Sequence, residues 1–173
     1  YKTTVLSLHS PISEKKITGI DYLRADITDL EQIQSILHSR VFQYVVNLSG
    51  YIDHSPFRKG GMQVIVNHFI SVQNLLQSLN WNALQRFVQI GSSDEYGNLS
   101  APQHEDMREA PISPYSLGKV ASTHLLQMLH RTEGFPSVIL RLFLVYGPGQ
   151  DSHRLLPQII QGCFSDVCFP ASE

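Results

Sequence analysis

The chain has 173 residues, 42% of them hydrophobic, and a net charge of -2, which suits one ordinary globular domain with a buried core. It contains no basic run that would attract nucleic acid or a membrane surface. No apolar stretch approaches the roughly 18 residues of a membrane-spanning helix. We therefore expect a cytoplasmic protein with neither nucleic acid nor membrane as a partner.

The cysteines and histidines predict no metal site. Cys163 and Cys168 are too few for a disulfide framework, and the eight histidines are scattered without ligand spacing. We expect the histidines to have surface or packing roles.

Apolar runs typical of strands alternate along the chain with helical periodicity. Strands are predicted at residues 5–8, within 22–29, at 42–48, 87–90 and 138–145, and helices at 30–37, 62–79 and 114–130. Such alternation predicts a parallel sheet with helices on both faces. Active sites of these folds lie at the carboxyl ends of the strands, where Gly91-Ser92-Ser93 and Tyr146-Gly147-Pro148-Gly149 follow two predicted strands.

Tyr115 and Lys119 form a candidate catalytic pair. They are four residues apart after Pro114, which suits the first turn of a helix, so their side chains share one face. An ammonium near a phenol favours the phenolate, and an oxidised nicotinamide would act in the same direction. Tyr115 is therefore a candidate base, and Ser92 a candidate hydrogen-bond donor to the same substrate oxygen.

Three motifs together carry a family resemblance. They are Ser92-Ser93-x-x-Tyr96-Gly97, Pro114-Tyr115-x-x-x-Lys119 and Arg141-x-x-x-x-Tyr146-Gly147-Pro148-Gly149. In this order they resemble the extended short-chain dehydrogenase/reductases, the NAD(P)-dependent nucleotide-sugar epimerases, dehydratases and reductases. The resemblance implies a Rossmann-like doubly wound parallel sheet, NAD or NADP as cofactor, a nucleotide-sugar substrate and a homodimer.

The glycine-rich fingerprint of such a fold is not among the eleven glycines. The first predicted strand resembles the family's second, so we expect one β-α unit of roughly 30 residues to precede these residues. We expect residues 1–148 to be a dinucleotide-binding domain lacking that unit, and 149–173 to begin a substrate-binding lobe that is mostly outside the sequence.

The resemblance also implies cofactor contacts. His9 and Ser10 stand where NAD-dependent relatives have an acidic residue that binds the ribose, which leaves NADP plausible. The other residues implied at the cofactor are Asp26, Ile27, Leu48, Ser49, Gly50, Tyr115 and Lys119. Asp26 or Thr28 also suits the cap of the following helix.

Ser92, Tyr115, Lys119 and Asp94 are the implied catalytic residues, and Ser92, Ser93 and Leu144 the implied substrate contacts. Asp94 occupies a position where dehydratases carry a second acid, although Asp94 and Glu95 equally suit a solvated loop. Leucine at 144 replaces an asparagine of many relatives and cannot form a hydrogen bond.

Epimerase, 4-ketoreductase and dehydratase activities all remain open, in that order. The alternative is a non-catalytic protein that only binds a dinucleotide.

Overall fold

The computed structural model describes residues 1–165. The helices and strands, in chain order, are β1 (Thr3–Ser7), β2 (Ile20–Arg24), α1 (Leu30–Leu37), β3 (Tyr44–Asn47), α2 (Gly61–Ser78), β4 (Arg86–Ile90), α3 (Pro114–Glu133), β5 (Ser137–Leu140) and α4 (Leu155–Ser165). Residues Tyr1–Arg141 form one compact unit, and a second unit begins at Leu142. The predicted domain boundary at residue 148 stays a prediction.

All strand pairs in the described part of the chain are parallel. β1 pairs with β2, and β4 lies between β3 and β5, with Val88 opposite both Val46 and Val138. Parallel pairing requires the helical crossovers that the sequence predicts. The predicted Rossmann-like α/β class is confirmed, with the five strands divided between a two-stranded and a three-stranded sheet.

One hydrophobic core joins both sheets to α1, α2 and α3. Phe87 of β4, Ile33 of α1, Val72 of α2 and Leu126 of α3 are all buried within it. Helix α2 packs along α3, and α1 packs against α2. The three helices therefore share one core face, while Tyr44 and Val46 of β3 are exposed.

Local sequence explains the ends of α3. Ser113 caps its N-terminus in a reciprocal arrangement with Ser116, and Pro114 occupies the first turn. Gly134 ends the helix with a φ of 68°, the left-handed conformation that favours glycine. This helix holds Tyr115 and Lys119 in its first two turns.

Two local predictions are wrong. The strand predicted at 138–145 ends at Leu140, because its partner β4 ends at Ile90 and the chain turns away after Gly91. The N-cap of α1 is Asp29, whose carboxylate accepts a hydrogen bond from the backbone N of Gln32, rather than Asp26 or Thr28.

No helix within residues 1–165 combines the length and the hydropathy needed to cross a bilayer. Cys163 is exposed and has no disulfide partner among the described residues, and Cys168 lies outside them.

Candidate active site

Ser92 lies in a tight turn directly after β4. Its Oγ accepts a hydrogen bond from the backbone N of Asp94 at 3.2 Å, which makes Ser92 the cap of the 3-10 turn Ser93–Tyr96. In return, Glu95 Oε1 accepts a hydrogen bond from the backbone N of Ser92 at 3.0 Å. A Cβ on Gly91 would lie 2.5 Å from the same Glu95 oxygen, so glycine permits this close turn. The position of Ser92 is thus held from both sides.

Glu95 is wholly buried, so it is not the solvated loop residue that the sequence allowed. Its Oε2 accepts hydrogen bonds from Thr123 Oγ1 at 2.8 Å and from Arg141 Nε at 3.0 Å. Arg141 also pairs with Glu109. A buried carboxylate needs such partners, because removing an ion from water without them costs on the order of several kcal/mol. Glu95 therefore ties the Ser92 turn to α3 and to the end of β5.

Tyr115 and Lys119 are both buried, each with 6% of its surface exposed. The Ser92 side chain lies close enough to the Tyr115 hydroxyl to influence its pKa. Lys119 Nζ donates a hydrogen bond to the backbone O of Ile90 at 3.0 Å and lies 5.8 Å from the centre of the Tyr115 ring. The structure thus brings Ser92, Tyr115 and Lys119 together at the carboxyl end of β4.

Burial dominates the electrostatics of this group. Burial raises the pKa of Tyr115, the hydrogen bond with Ser92 opposes that shift, and the charges of Asp94 and Glu95 add to it. Burial also lowers the pKa of Lys119, against the attraction of Glu95. The lowered Tyr115 pKa that the sequence suggested is not found, because desolvation disfavours the phenolate and the ammonium alike.

Two histidines that the sequence left as surface or packing residues flank Tyr115. The ring centre of His68 lies 5.1 Å from that of Tyr115, and the ring centre of His54 lies 5.4 Å away, both edge to face. His68 is buried, and its Nε2 donates to the backbone O of Tyr51 at 2.9 Å, since a carbonyl oxygen can only accept. Burial, together with the charge of Lys119, lowers the pKa of His68 and favours its neutral form.

Two glycines make room for His68. Gly50 has a φ of 113°, and a Cβ there would lie 2.4 Å from His68 Cε1. A Cβ on Gly118 of α3 would lie 3.0 Å from His68 Cβ. His68 therefore fills a space between the loop after β3 and the first turns of α3, a contact that no local sequence pattern signals.

The loop after β3 carries three of the residues implied at the cofactor. The backbone N of Ser49 donates to Asn47 Oδ1 at 3.1 Å, and Asn47 Nδ2 donates to Gln89 Oε1 at 2.8 Å. Leu48 is 73% exposed, and Ser49 Oγ is buried without a hydrogen-bond partner among residues 1–165. A buried hydroxyl without a partner is costly and suits a site whose ligand supplies that partner.

The cofactor residues implied near β1 and β2 contact one another's neighbours and, at Ile27, helix α2. Asp26 Oδ1 accepts hydrogen bonds from the backbone N of Thr28 at 2.9 Å and from its Oγ1 at 2.7 Å, and these bonds lower the Asp26 pKa. The backbone O of Ile27 accepts from Asn74 Nδ2 at 3.0 Å. His9 and Ser10 are exposed. Their contact with a cofactor stays a prediction.

The other implied residues divide between the two units. Ser93 and Asp94 lie in the turn after Ser92 and are half-buried. Leu144 belongs to the second unit, where it is exposed. Within residues 1–165 no group of histidine, cysteine and carboxylate side chains could hold a metal ion.

Comparisons with known proteins find relatives in the family that the three motifs resemble. The chain is 31% identical over 162 residues to an uncharacterised UDP-glucose epimerase of Bacillus subtilis, covering 90% of this chain and 49% of that protein. It is 30% identical over 151 residues to a dTDP-glucose 4,6-dehydratase of Haemophilus influenzae, covering 79% of this chain and 44% of that protein. The chain thus spans about half the length of these relatives.

A solved structure shows the same fold. The UDP-glucuronic acid 4-epimerase from Bacillus cereus, in complex with NAD, superposes with a TM-score of 0.70 at 29% identity and covers 89% of this chain and 48% of that one. The implied cofactor class agrees with this neighbour. The family model described as the NAD dependent epimerase/dehydratase family matches residues 2–165. The resemblance in the motifs is therefore confirmed, and the chain belongs to the NAD dependent epimerase/dehydratase family.

Proposed function

We propose that the complete protein is an NAD- or NADP-dependent nucleotide-sugar epimerase/dehydratase in which Tyr115 removes the proton of a sugar hydroxyl. The observation that carries this proposal is the placement of the Tyr115 hydroxyl within reach of Ser92, with Lys119 one helical turn further along α3. Family membership supports the reaction class.

In this proposal each residue has a defined task. Tyr115 Oη accepts the proton of the hydroxyl, and Ser92 Oγ donates a hydrogen bond to the same sugar oxygen. Lys119 contributes a positive charge within 5.8 Å of the Tyr115 ring centre, anchored by its bond to Ile90 O. Glu95 fixes the Ser92 turn and does not contact the substrate.

The residues around β3 fit a dinucleotide. Ser49 Oγ is a buried hydroxyl that no other described residue bonds. The exposed Leu48 and the positive φ of Gly50 suit close approach of a ligand to the backbone. Ser49, Gly50, Tyr115 and Lys119 would hold its nicotinamide half, and Asp26, Ile27, His9 and Ser10 its adenosine half. When bound, the dinucleotide supplies the hydride acceptor, and its positive charge lowers the pKa of a nearby phenol.

Epimerisation, reduction of a 4-ketose and dehydration share this first site, so the relatives alone do not separate them. Ser93 and Leu144 are proposed substrate contacts, and Asp94 a second acid. The test is incubation of the complete protein with UDP-glucose, dTDP-glucose or UDP-glucuronic acid, with and without added NADPH. We expect transient reduction of bound nicotinamide and conversion of at least one sugar. A folded protein that converts none of them contradicts the proposal.

We further propose a homodimer that pairs through α2 and α3. Both helices bury one face in the core and still expose large apolar side chains, Met62 on α2 and Leu117 and Met128 on α3. Such surface suits a second buried face. Light scattering of the complete protein at micromolar concentration should give twice the monomer mass, and a monomeric mass would contradict the proposal.

A further inference from the structure

His54 lies beside the proposed catalytic group without a role in the reaction described so far. Its ring meets the Tyr115 ring edge to face at 5.4 Å between ring centres, and its Nε2 lies 3.8 Å from Asp94 Oδ2. Asp94 in turn donates its backbone N to Ser92 Oγ, which is within reach of the Tyr115 hydroxyl. Tyr115, Ser92, Asp94 and His54 thus form a closed ring of neighbours.

The segment that carries His54 is fixed against the start of α3. Asp53 Oδ1 accepts a hydrogen bond from the backbone N of Ser55 at 2.7 Å, which closes a turn around His54. Gly61 is packed so tightly against this segment that a Cβ would lie 2.5 Å from Ser55 O and 2.5 Å from Pro114 Cγ. His54 is therefore held next to Tyr115 by backbone packing.

His54 and Asp94 are accessible to a ligand from solvent, whereas Tyr115 is buried. The side chains of His54 and Asp94 are 54% and 40% exposed, whereas Tyr115 is 6% exposed. Imidazole exchanges a proton near neutral pH, and a neighbouring carboxylate orients it and stabilises its charged form. A distance of 3.8 Å is too long for a hydrogen bond, but such pairs often tighten only when the substrate is bound.

We propose that His54 is a further catalytic residue, which together with Asp94 moves a proton at the sugar carbon next to the one that Tyr115 serves. This inference rests on the proposed function, because the ketone formed there makes the neighbouring carbon acidic. A nitrogen of neutral His54 takes the proton, and the C–H electron pair forms the carbon–carbon double bond of an enolate. Ser92 and Tyr115 hydroxyls donate to the enolate oxygen, and Asp94 faces the imidazolium.

The proton then leaves His54 again, so the step consumes no oxidant or reductant. It returns to the carbon after exchange with solvent. In heavy water this return places solvent deuterium on that carbon. An enzyme that only exchanges hydride at one carbon incorporates none.

The chain offers a matched control in His124. Its side chain is also 54% exposed and pairs with a carboxylate, Glu109 Oε2, at 3.1 Å. It lies on the same helix as Tyr115 but does not contact that ring. Effects that arise from any exposed histidine–carboxylate pair will therefore appear in His124→Asn as well.

The experiment measures deuterium incorporation by the complete protein in heavy water, with UDP-glucose, dTDP-glucose and UDP-glucuronic acid as probes. The wild type should incorporate deuterium next to the oxidised carbon. His54→Asn should slow this by about 10² or more, and Asp94→Asn should slow it in the same direction. In both variants reduction of bound nicotinamide should fall less than deuterium incorporation, and His124→Asn should behave as the wild type.

The outcomes separate the two proposals. Nicotinamide reduction without deuterium incorporation in the wild type overturns this inference and leaves the proposed function standing. The same conclusion follows if His54→Asn incorporates deuterium at the wild-type rate. It also follows if His54→Asn loses deuterium incorporation and nicotinamide reduction equally, which would indicate a structural role. A wild type that reduces no nicotinamide with any probe overturns the proposed function and this inference with it. Thermal melting of each variant checks that the fold is retained.

Discussion

Two regions of the first unit differ in how completely their buried polar groups find hydrogen-bond partners and their apolar side chains are covered. In the catalytic region, which comprises β4, the turn 91–97 and α3, the polar side chains of Glu95, Ser116, Lys119 and Thr123 are buried with hydrogen-bond partners. In the open-edge region, which comprises β1, β2, β3 and the loop 48–51, Val46 is 57% exposed and Ser49 Oγ has no hydrogen-bond partner within the described part of the chain.

The difference shows which region is complete within the described residues and which has unpaired strand edges. The catalytic geometry is built by contacts within the described residues, whereas β1 and β3 each have one edge that no strand of residues 1–165 pairs with. Doubly wound folds of this kind place one further strand between two such edges.

The largest expected effect is on Lys119. Lys119→Met removes the ammonium and the hydrogen bond to Ile90 O. We expect the turnover of the complete protein to fall by at least about 10², the lower end of a general acid–base contribution. Steady-state kinetics with a converted nucleotide-sugar provide the measurement. Lys59→Met, at an exposed lysine, should leave turnover near that of the wild type, and equal losses in both variants would contradict the role of Lys119.

The second effect concerns the stability of the catalytic region. Glu95→Ala leaves Thr123 and the Ser92 backbone N without their acceptor and removes one partner of Arg141. Breaking a buried ion pair costs about 3–5 kcal/mol, and we expect the lower end because Arg141 keeps Glu109. Denaturant unfolding measures the loss. Glu133→Ala, at an exposed glutamate, should change stability by less than about 0.5 kcal/mol.

A pair of glycine variants on the open-edge side tests how tightly His68 is packed. Gly19 and Gly50 have φ values of 87° and 113°, but a Cβ on Gly19 meets nothing within 4 Å, whereas one on Gly50 meets His68. Gly19→Ala should therefore cost only the conformational strain, about 1–2 kcal/mol. Gly50→Ala should cost more, as denaturant unfolding will show. Similar losses at the two sites would mean that His68 moves aside without cost.

The smallest effect is a pH dependence of stability. The pKa of His68 is lowered from 6.5 in the folded state, so the unfolded chain binds more protons at mildly acidic pH. This contribution to stability should be complete above about pH 6.5 and should decrease as the pH falls below that value. Measuring the unfolding free energy of the wild type and of His68→Gln at pH values above and below this point isolates the His68 contribution. A pH slope that is unchanged in the variant would contradict the assignment.

Periodicity and turn signals predicted α2, α3 and the strand that precedes Ser92, because these depend on neighbouring residues. The approach of Ser92 to Tyr115 followed from the rule that strand ends meet at one edge of a sheet. The burial of Glu95 did not follow, because its partner Arg141 is 46 residues away. The contact of His68 with Tyr115 and the early end of β5 likewise depend on packing between distant segments.

The most direct test of the account is the turnover of Tyr115→Phe in the complete protein. The substitution removes one hydroxyl and its contact with Ser92, so the fold should survive. Tyr22→Phe is a matched control, since it removes a tyrosine hydroxyl outside the site, one that accepts a hydrogen bond from the backbone N of Ile17 at 3.0 Å. If Tyr115 is the base, turnover of Tyr115→Phe falls by about 10² to 10⁴ while Tyr22→Phe is unchanged. Near-normal turnover of Tyr115→Phe would show that Tyr115 is not the base.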